Sequence, residues 1–351
     1  MLNDTLARIT GPDREIGRRV TAYLDTLTKP PGSLGQLEAL AVELAAMTGE
    51  DFPRVTPPGV LVFAADHGVA AEGVSAFPQE VTAQMVANFA GGGAAINVFA
   101  RQIGARLEVI DVGVATKLVV PDVVHEKVRP ATANFIDADA MTRDEAVQAI
   151  EVGIRAASRA VDAGCRCLIV GEMGIANTTA SSAVLAVLSG EPVAGLVGPG
   201  TGIETSRLAH KRAVIERAIA ARRPQADDPM EVLAKLGGLE IAAMAGAYLG
   251  AAARRVPVLV DGFIATVAAL VACRLCPAAR SFMIFGHRSC EPGHDIALAV
   301  LDAKPLLDLA LRLGEGTGAA LAFPLLEAAT RMLVEMATFA SAGVVSGEPG
   351  E

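Results

Sequence analysis

Two carboxylates stand where a sequence of this kind would put working groups rather than packing groups. Glu315 lies between Gly314 and Gly316, with little steric cover and no packing role evident from its neighbours. It also precedes an apolar helical run, whose N-terminus favours an anion. A glutamate at a helix start is an ordinary structural feature, so position alone leaves both readings open. Glu172, in Gly171-Glu172-Met173-Gly174, follows a run of buried-type residues and is followed by Asn177 and Thr178, ordinary helix-capping types. A carboxylate in a crevice is suited to taking a proton from a substrate.

The anion-binding features are of a different kind. Gly198-x-Gly200-x-Gly202 opens a helix that carries Lys211, which reads as a nest of backbone amides with one point charge. It is not the G-x-G-x-x-G of a dinucleotide site, and no acidic residue is placed for the ribose, which argues against a hydride-transferring enzyme. The stretch Gly286 to His294 is dense in polar groups; its two histidines share no helix face, so Ser289 and the loop amides fit phosphate or ribose better than a metal. No P-loop, zinc helix or Ser/His/Asp arrangement is present. The set suits chemistry on a phosphorylated substrate with a carboxylate as base; a non-catalytic nucleotide sensor is the competing reading, and the residues alone do not name a reaction.

The elements that must position these groups alternate. Six β-branched-rich runs, at 59–66, 107–113, 166–171, 192–198, 257–261 and 281–286, read as strands covered on both faces. Helical stretches at 80–104, 142–163, 178–188, 206–222, 230–253 and 263–273 lie between them. The expected fold is α/β, a doubly wound, mostly parallel, six-stranded Rossmann-like sheet. Residues 13–47, broken at Pro30-Pro31-Gly32, and the runs 296–312 and 317–342 read as purely helical. The expected organisation is therefore N-terminal helices of a small domain over 1–50, a large α/β domain over 51–290, C-terminal helices of the small domain over 291–345, and a frayed tail over 346–351. Almost every predicted strand ends in glycine with polar residues, and in such a sheet the carboxyl ends of the strands define the ligand crevice.

Composition narrows the class. Hydrophobic residues make up 52% of 351, which is incompatible with a disordered chain. A net charge of −9 argues against a nucleic-acid or membrane-surface partner. The start of the chain has no basic segment followed by an apolar core, and no uncharged apolar stretch is long enough to span a membrane. Five cysteines form no even framework, and Cys273-x-x-Cys276 lacks a second ligand pair, so free thiols and a reduced cytoplasmic setting are expected.

The strings TKPPGSLGQLE, AADHGVAAEGVSAFPQEVTAQMV, GGGAAINVFAR, GEMGIANTTAS, GPGTG, EVLAKLGGLEIAAMAG, HRSCEPGH and LRLGEGTGAALAFPLL occur in order between about Leu27 and Ala342. Together they resemble the nicotinate-nucleotide–dimethylbenzimidazole phosphoribosyltransferase family. The resemblance implies transfer of phosphoribose from nicotinate mononucleotide to 5,6-dimethylbenzimidazole, giving alpha-ribazole 5'-phosphate and nicotinate for the lower ligand of cobalamin. It implies a homodimer, no cofactor and no metal. It also implies Glu315 as general base, Glu172 as a second active-site carboxylate, phosphate and ribose contacts at Gly174, Gly200, Lys211, Ser289 and Gly314, and a base pocket around Ser75, Phe77 and Gln84. Phe77 stands where this family more often has Tyr, and Pro199 where it has Arg; neither removes a catalytic group, and both bear on the choice of acceptor, with adenine, benzimidazole or a phenol as the alternatives.

Overall fold

In the computed structural model, which describes residues 1–198, 200 and 205–345, six strands form one sheet and all of its pairings are parallel. They are β1 (Pro58–Ala65), β2 (Arg106–Gly113), β3 (Val123–His125), β4 (Cys167–Met173), β5 (Val258–Val260) and β6 (Met283–Phe285), in the order β3-β2-β1-β4-β5-β6. All eight residues of β1 are buried, as a central strand with helices on both faces requires. The strand order reverses between β1 and β4, so the crevice at their carboxyl ends is a topological switch point. The α/β class and the parallel sheet are those expected from the alternating pattern.

Two elements differ from the expectation. The run 192–198 is not a strand: Val193–Leu196 is a single helical turn, and the sixth strand is instead the three-residue β3. A short Val/Leu run bounded by Gly and Pro has no periodicity to separate the two states. The stretch 296–312 is not purely helical either. Its helix spans Pro292–Val300, and β8 (Leu307–Leu311) then pairs in parallel with β7 (His287–Ser289) as a second, two-stranded sheet. Pro305, which lacks a backbone N–H, interrupts the helical pattern between them.

Glycine breaks divide two of the long helical stretches. Residues 80–104 form helices Glu80–Ala90 and Ala95–Gln102 around Gly91-Gly92-Gly93, and residues 230–253 form Pro229–Leu236 and Leu239–Ala253 around Gly237-Gly238. The helices Arg143–Asp162 and Leu239–Ala253 touch backbone to backbone. A Cβ on Gly153 would lie 1.8 Å from the Ala243 carbonyl oxygen, and one on Gly246 would lie 1.9 Å from that of Ile150. Only glycine at these two crossings permits that approach.

The two chain ends meet. Thr28 donates its N–H to Ala337 O at 3.0 Å, and Phe339 donates to Thr26 O at 2.9 Å. The C-terminal helix Thr317–Glu335 is long and apolar enough by composition to cross a membrane, but 61% of its apolar window is buried inside the fold, as in a core helix. All five cysteines are free, with Cys165 and Cys167 buried. The expected frayed tail over 346–351 lies outside the described residues.

Candidate functional site

A cavity of about 410 Å³ opens at the carboxyl ends of β4 and β5. Its wall is completed by β7, the loop 312–315 and the first turns of the helices Asn177–Ser189 and Phe263–Leu275. Seven of the ten residues singled out in the sequence line it: Phe77, Glu172, Gly174, Gly200, Ser289, Gly314 and Glu315.

Glu315 sits in an unusual backbone. Gly314, Glu315 and Gly316 have φ of +93°, +63° and +90°, so a left-handed non-glycine residue is held between two left-handed glycines. That conformation costs roughly 1–2 kcal/mol for a residue with a Cβ, and the surrounding contacts impose it. A Cβ on Gly171 of β4 would lie 2.2 Å from the Glu315 carbonyl oxygen, so the loop lies directly on the strand. From the other side, Asp261 at the end of β5 accepts the N–H of Gly316 at 3.2 Å and of Ala319 at 2.9 Å, capping the Thr317–Glu335 helix. The side-chain Oε2 of Glu315 accepts the Ile96 N–H at 3.3 Å, in the first turn of the helix Ala95–Gln102. Burial raises the Glu315 pKa, an effect the Ile96 hydrogen bond only partly offsets. The result is a fixed carboxylate with increased proton affinity, facing an open cavity.

Glu172 plays a different part in the same loop. It accepts hydrogen bonds from the Asn177 side-chain amide and from the Glu315 backbone N–H. A Cβ on Gly314 would lie 2.3 Å from its Oε1. Burial, with the charge of Glu240 next in importance, pushes Glu172 up to about 8. It is therefore largely a neutral acid at pH 7. Glu240 is itself buried and 2.6 Å from His67 Nε2, beneath Gly174.

At one end of the cavity the groups suit an anion. Gly200 has φ of +54°. Lys211 is buried behind the wall, its Nζ donating to Thr178 Oγ1 at 2.9 Å and to Gly198 O at 3.4 Å. Burial lowers its pKa to about 8, with Glu291 opposing. Ser289 donates its N–H to His294 Nδ1 at 2.8 Å, while His294 Nε2 lies 3.0 Å from Thr266 Oγ1. Both ring nitrogens of His294 are thus used inside the fold, and burial takes its pKa down to about 4. His287 is 3.4 Å from Asp261; burial would lower its pKa, but that contact outweighs it and the pKa is raised.

The apolar part of the wall is formed by Phe77, Val81, Met85, Met173, Ile175 and Leu313. Phe77 is half exposed at the mouth, its N–H donating to Ser75 Oγ at 3.2 Å. Ser75 itself is outside the wall, and so is Gln84, which is exposed on the helix Glu80–Ala90. Pro199 lies outside the described residues. Sequence reasoning gave no role to Asp261, His287, Glu291 or Arg312, all of which line the cavity. The polar ends of the strands at 261–262 and 286–289 were the available signal. Val81 and Met85, four residues apart on one helix face, were a second one.

Comparison with known proteins gives one answer. A family model described as phosphoribosyltransferase matches residues 9–344. The nicotinate-nucleotide–dimethylbenzimidazole phosphoribosyltransferase of Chloroflexus aggregans is 56% identical over 345 residues, covering 98% of both chains. The enzyme of the same name from Pseudomonas fluorescens is 54% identical over 333 residues, covering 95% of each. The crystal structure of CobT from Thermus thermophilus superposes with a TM-score of 0.91 at 48% identity, covering 95% of this chain and 100% of that one. With a matching model over nearly its whole length and relatives this similar end to end, the chain belongs to the nicotinate-nucleotide–dimethylbenzimidazole phosphoribosyltransferase family.

Proposed function

We propose that this protein transfers the 5-phosphoribosyl group of nicotinate mononucleotide to 5,6-dimethylbenzimidazole, releasing nicotinate and forming alpha-ribazole 5'-phosphate. The observation that carries this reading is the held carboxylate of Glu315 in a cavity wall that also presents Gly200, backed by Lys211, and a set of apolar side chains. The wall carries the carboxyl groups of Asp261, Glu291 and Glu315 beside the largely neutral Glu172, and one guanidinium, Arg312. Such a surface favours a ligand whose reacting ring is a cation.

Nicotinate mononucleotide has a pyridinium leaving group, so the bond from its ring nitrogen to C1′ breaks with the electron pair going to the nitrogen, and no added acid is needed. One ring nitrogen of dimethylbenzimidazole forms the new bond to C1′ from the opposite face, which inverts the anomeric centre. Its other nitrogen must lose a proton, and Glu315 takes it. A positioned carboxylate supplies roughly 10²–10⁴ in rate, and holding two substrates in one cavity supplies the rest. Glu172, Gly174, Gly200, Lys211, Ser289 and Gly314 would bind phosphate and ribose. The apolar wall with Phe77 would take the flat acceptor, with Ser75 supporting Phe77 from behind. Gln84 would need to turn inward to contribute.

We also propose that the protein is a cytoplasmic homodimer that needs no metal or cofactor, divided into a large α/β domain over 51–290 and a small helical domain from 1–50 and 291–345. Incubation with nicotinate mononucleotide and an equimolar panel of dimethylbenzimidazole, benzimidazole, adenine and a phenol, with products identified by mass, tests the acceptor. Dimethylbenzimidazole should be consumed first; preferential consumption of another base would assign that base instead.

A further inference from the structure

Glu291 is a carboxylate at the end of the cavity where an anion should bind. It is 6% exposed and lines the wall, immediately before the helix Pro292–Val300. A Cβ on Gly198 would lie 2.3 Å from its Oε2, so the carboxylate rests directly on the Gly198 backbone. Its carboxylate accepts the Gly200 N–H, and its own N–H donates to Ser289 Oγ at 3.3 Å. Lys211 and Arg312 both act on it electrostatically. Among the described residues, however, neither cation closes into an ion pair with it: the Lys211 Nζ turns to Thr178 and Gly198, and the Arg312 guanidinium donates to Gly200 O at 3.3 Å.

Of the groups at this end that suit a phosphate, the Gly200 N–H is therefore already taken by a carboxylate built into the chain, and Lys211 and Arg312 lie within the field of that carboxylate. We propose that Glu291 is a specificity-determining residue that holds the anion end of the cavity in place of a phosphate, so that an incoming anion must compete with it. The inference rests on the reading that this end receives the substrate phosphate. Small free anions gain too little from Gly200, Lys211 and Arg312 to overcome a neighbouring negative charge. A nucleotide brings its ribose and ring contacts as well, so it occupies the site where free phosphate at the same concentration does not. Burial holds the Glu291 pKa up, and Lys211, the Gly200 amide and Arg312 draw it back.

Sulfate is the appropriate probe, because it carries the phosphate geometry without titrating near neutrality. Its binding to the full chain is measured by calorimetry for the wild type, Glu291→Gln and Glu291→Ala, with folding of each checked by thermal unfolding. Both variants should bind sulfate about tenfold or more tightly than the wild type, since juxtaposed like charges in a desolvated site are costly. The KM for nicotinate mononucleotide should fall in the same variants, while binding of the riboside that lacks the phosphate stays unchanged. Unchanged or weaker sulfate binding in either folded variant would overturn the proposal and make Glu291 a counter-charge for Lys211. Because sulfate binding needs no turnover, a wild type that forms no product while the variants tighten would refute the proposed reaction and leave this role of Glu291 standing. Normal product formation without tightening would do the reverse.

Discussion

Replacing Glu315 with Gln separates its chemistry from its place in the fold. Glutamine keeps the length and an oxygen that can accept the Ile96 N–H, now at 3.3 Å. The left-handed backbone at φ +63° and the Asp261 cap on the following helix are untouched. What is lost is the capacity to take a proton, so turnover should fall by roughly 10²–10⁴, with little change in acceptor binding. Stability should move the other way. Burial raises the Glu315 pKa in the fold above its ordinary value of 4.5, so the folded chain holds this proton more tightly than the unfolded one. Wild-type stability attributable to this group is greatest below pH 4.5 and declines as pH rises towards the folded pKa. The Gln variant lacks that decline and should be as stable as the wild type or more so at pH 7, with the gap closing in acid. Glu315→Gly should also be inactive, and relief of the left-handed conformation should favour it by about 1–2 kcal/mol. The assay is nicotinate release under saturating substrates, alongside thermal unfolding at pH 4.5 and 7. A Gln variant retaining more than a tenth of wild-type turnover would refute Glu315 as the base and move attention to Glu172.

Lys211→Ala should raise the KM for nicotinate mononucleotide far more than that for the acceptor, and in the wild type nucleotide affinity should weaken above about pH 8 as Lys211 loses its charge; equal effects on both substrates would make Lys211 structural. Glu172→Gln should flatten the loss of stability that the wild type shows between pH 4.5 and about 8, where a buried acid with its raised pKa ionises, and identical unfolding profiles would show that Glu172 is not held protonated. Phe77→Tyr should alter the rate ratio between dimethylbenzimidazole and adenine by the worth of one hydrogen bond, about 1 kcal/mol; an unchanged ratio in competition assays would remove Phe77 from the acceptor site.

What was legible in the sequence follows from what is local. Runs such as Val60 to Ala65 and Leu168 to Val170 are apolar throughout, and alternating them with helical stretches leaves few arrangements other than a parallel sheet. Glycines and polar residues at strand ends marked the crevice, because only there must backbone approach a ligand. The run 192–198 misled because its valines and leucine are buried under a helix start, not within the sheet, and composition is the same in both places. The strand β3 is three residues long, too short for any period to show. Within the site, Glu315 and Lys211 stood out by type and setting. The roles of Asp261 and Glu291 did not, since each depends on a partner far away in the chain: Gly316 and Ala319 for the first, Gly200 and Lys211 for the second.

The central claim is a direct displacement at C1′ that joins phosphoribose to dimethylbenzimidazole with Glu315 as base. Its most direct test follows the wild-type protein with nicotinate mononucleotide and dimethylbenzimidazole, determining by mass and proton NMR the identity and anomeric configuration of the product. One nicotinate released per alpha-configured ribazole 5'-phosphate, at a rate that collapses in Glu315→Gln, is the predicted result. A beta-configured product, nicotinate released as simple hydrolysis, or a rate indifferent to Glu315 would contradict it.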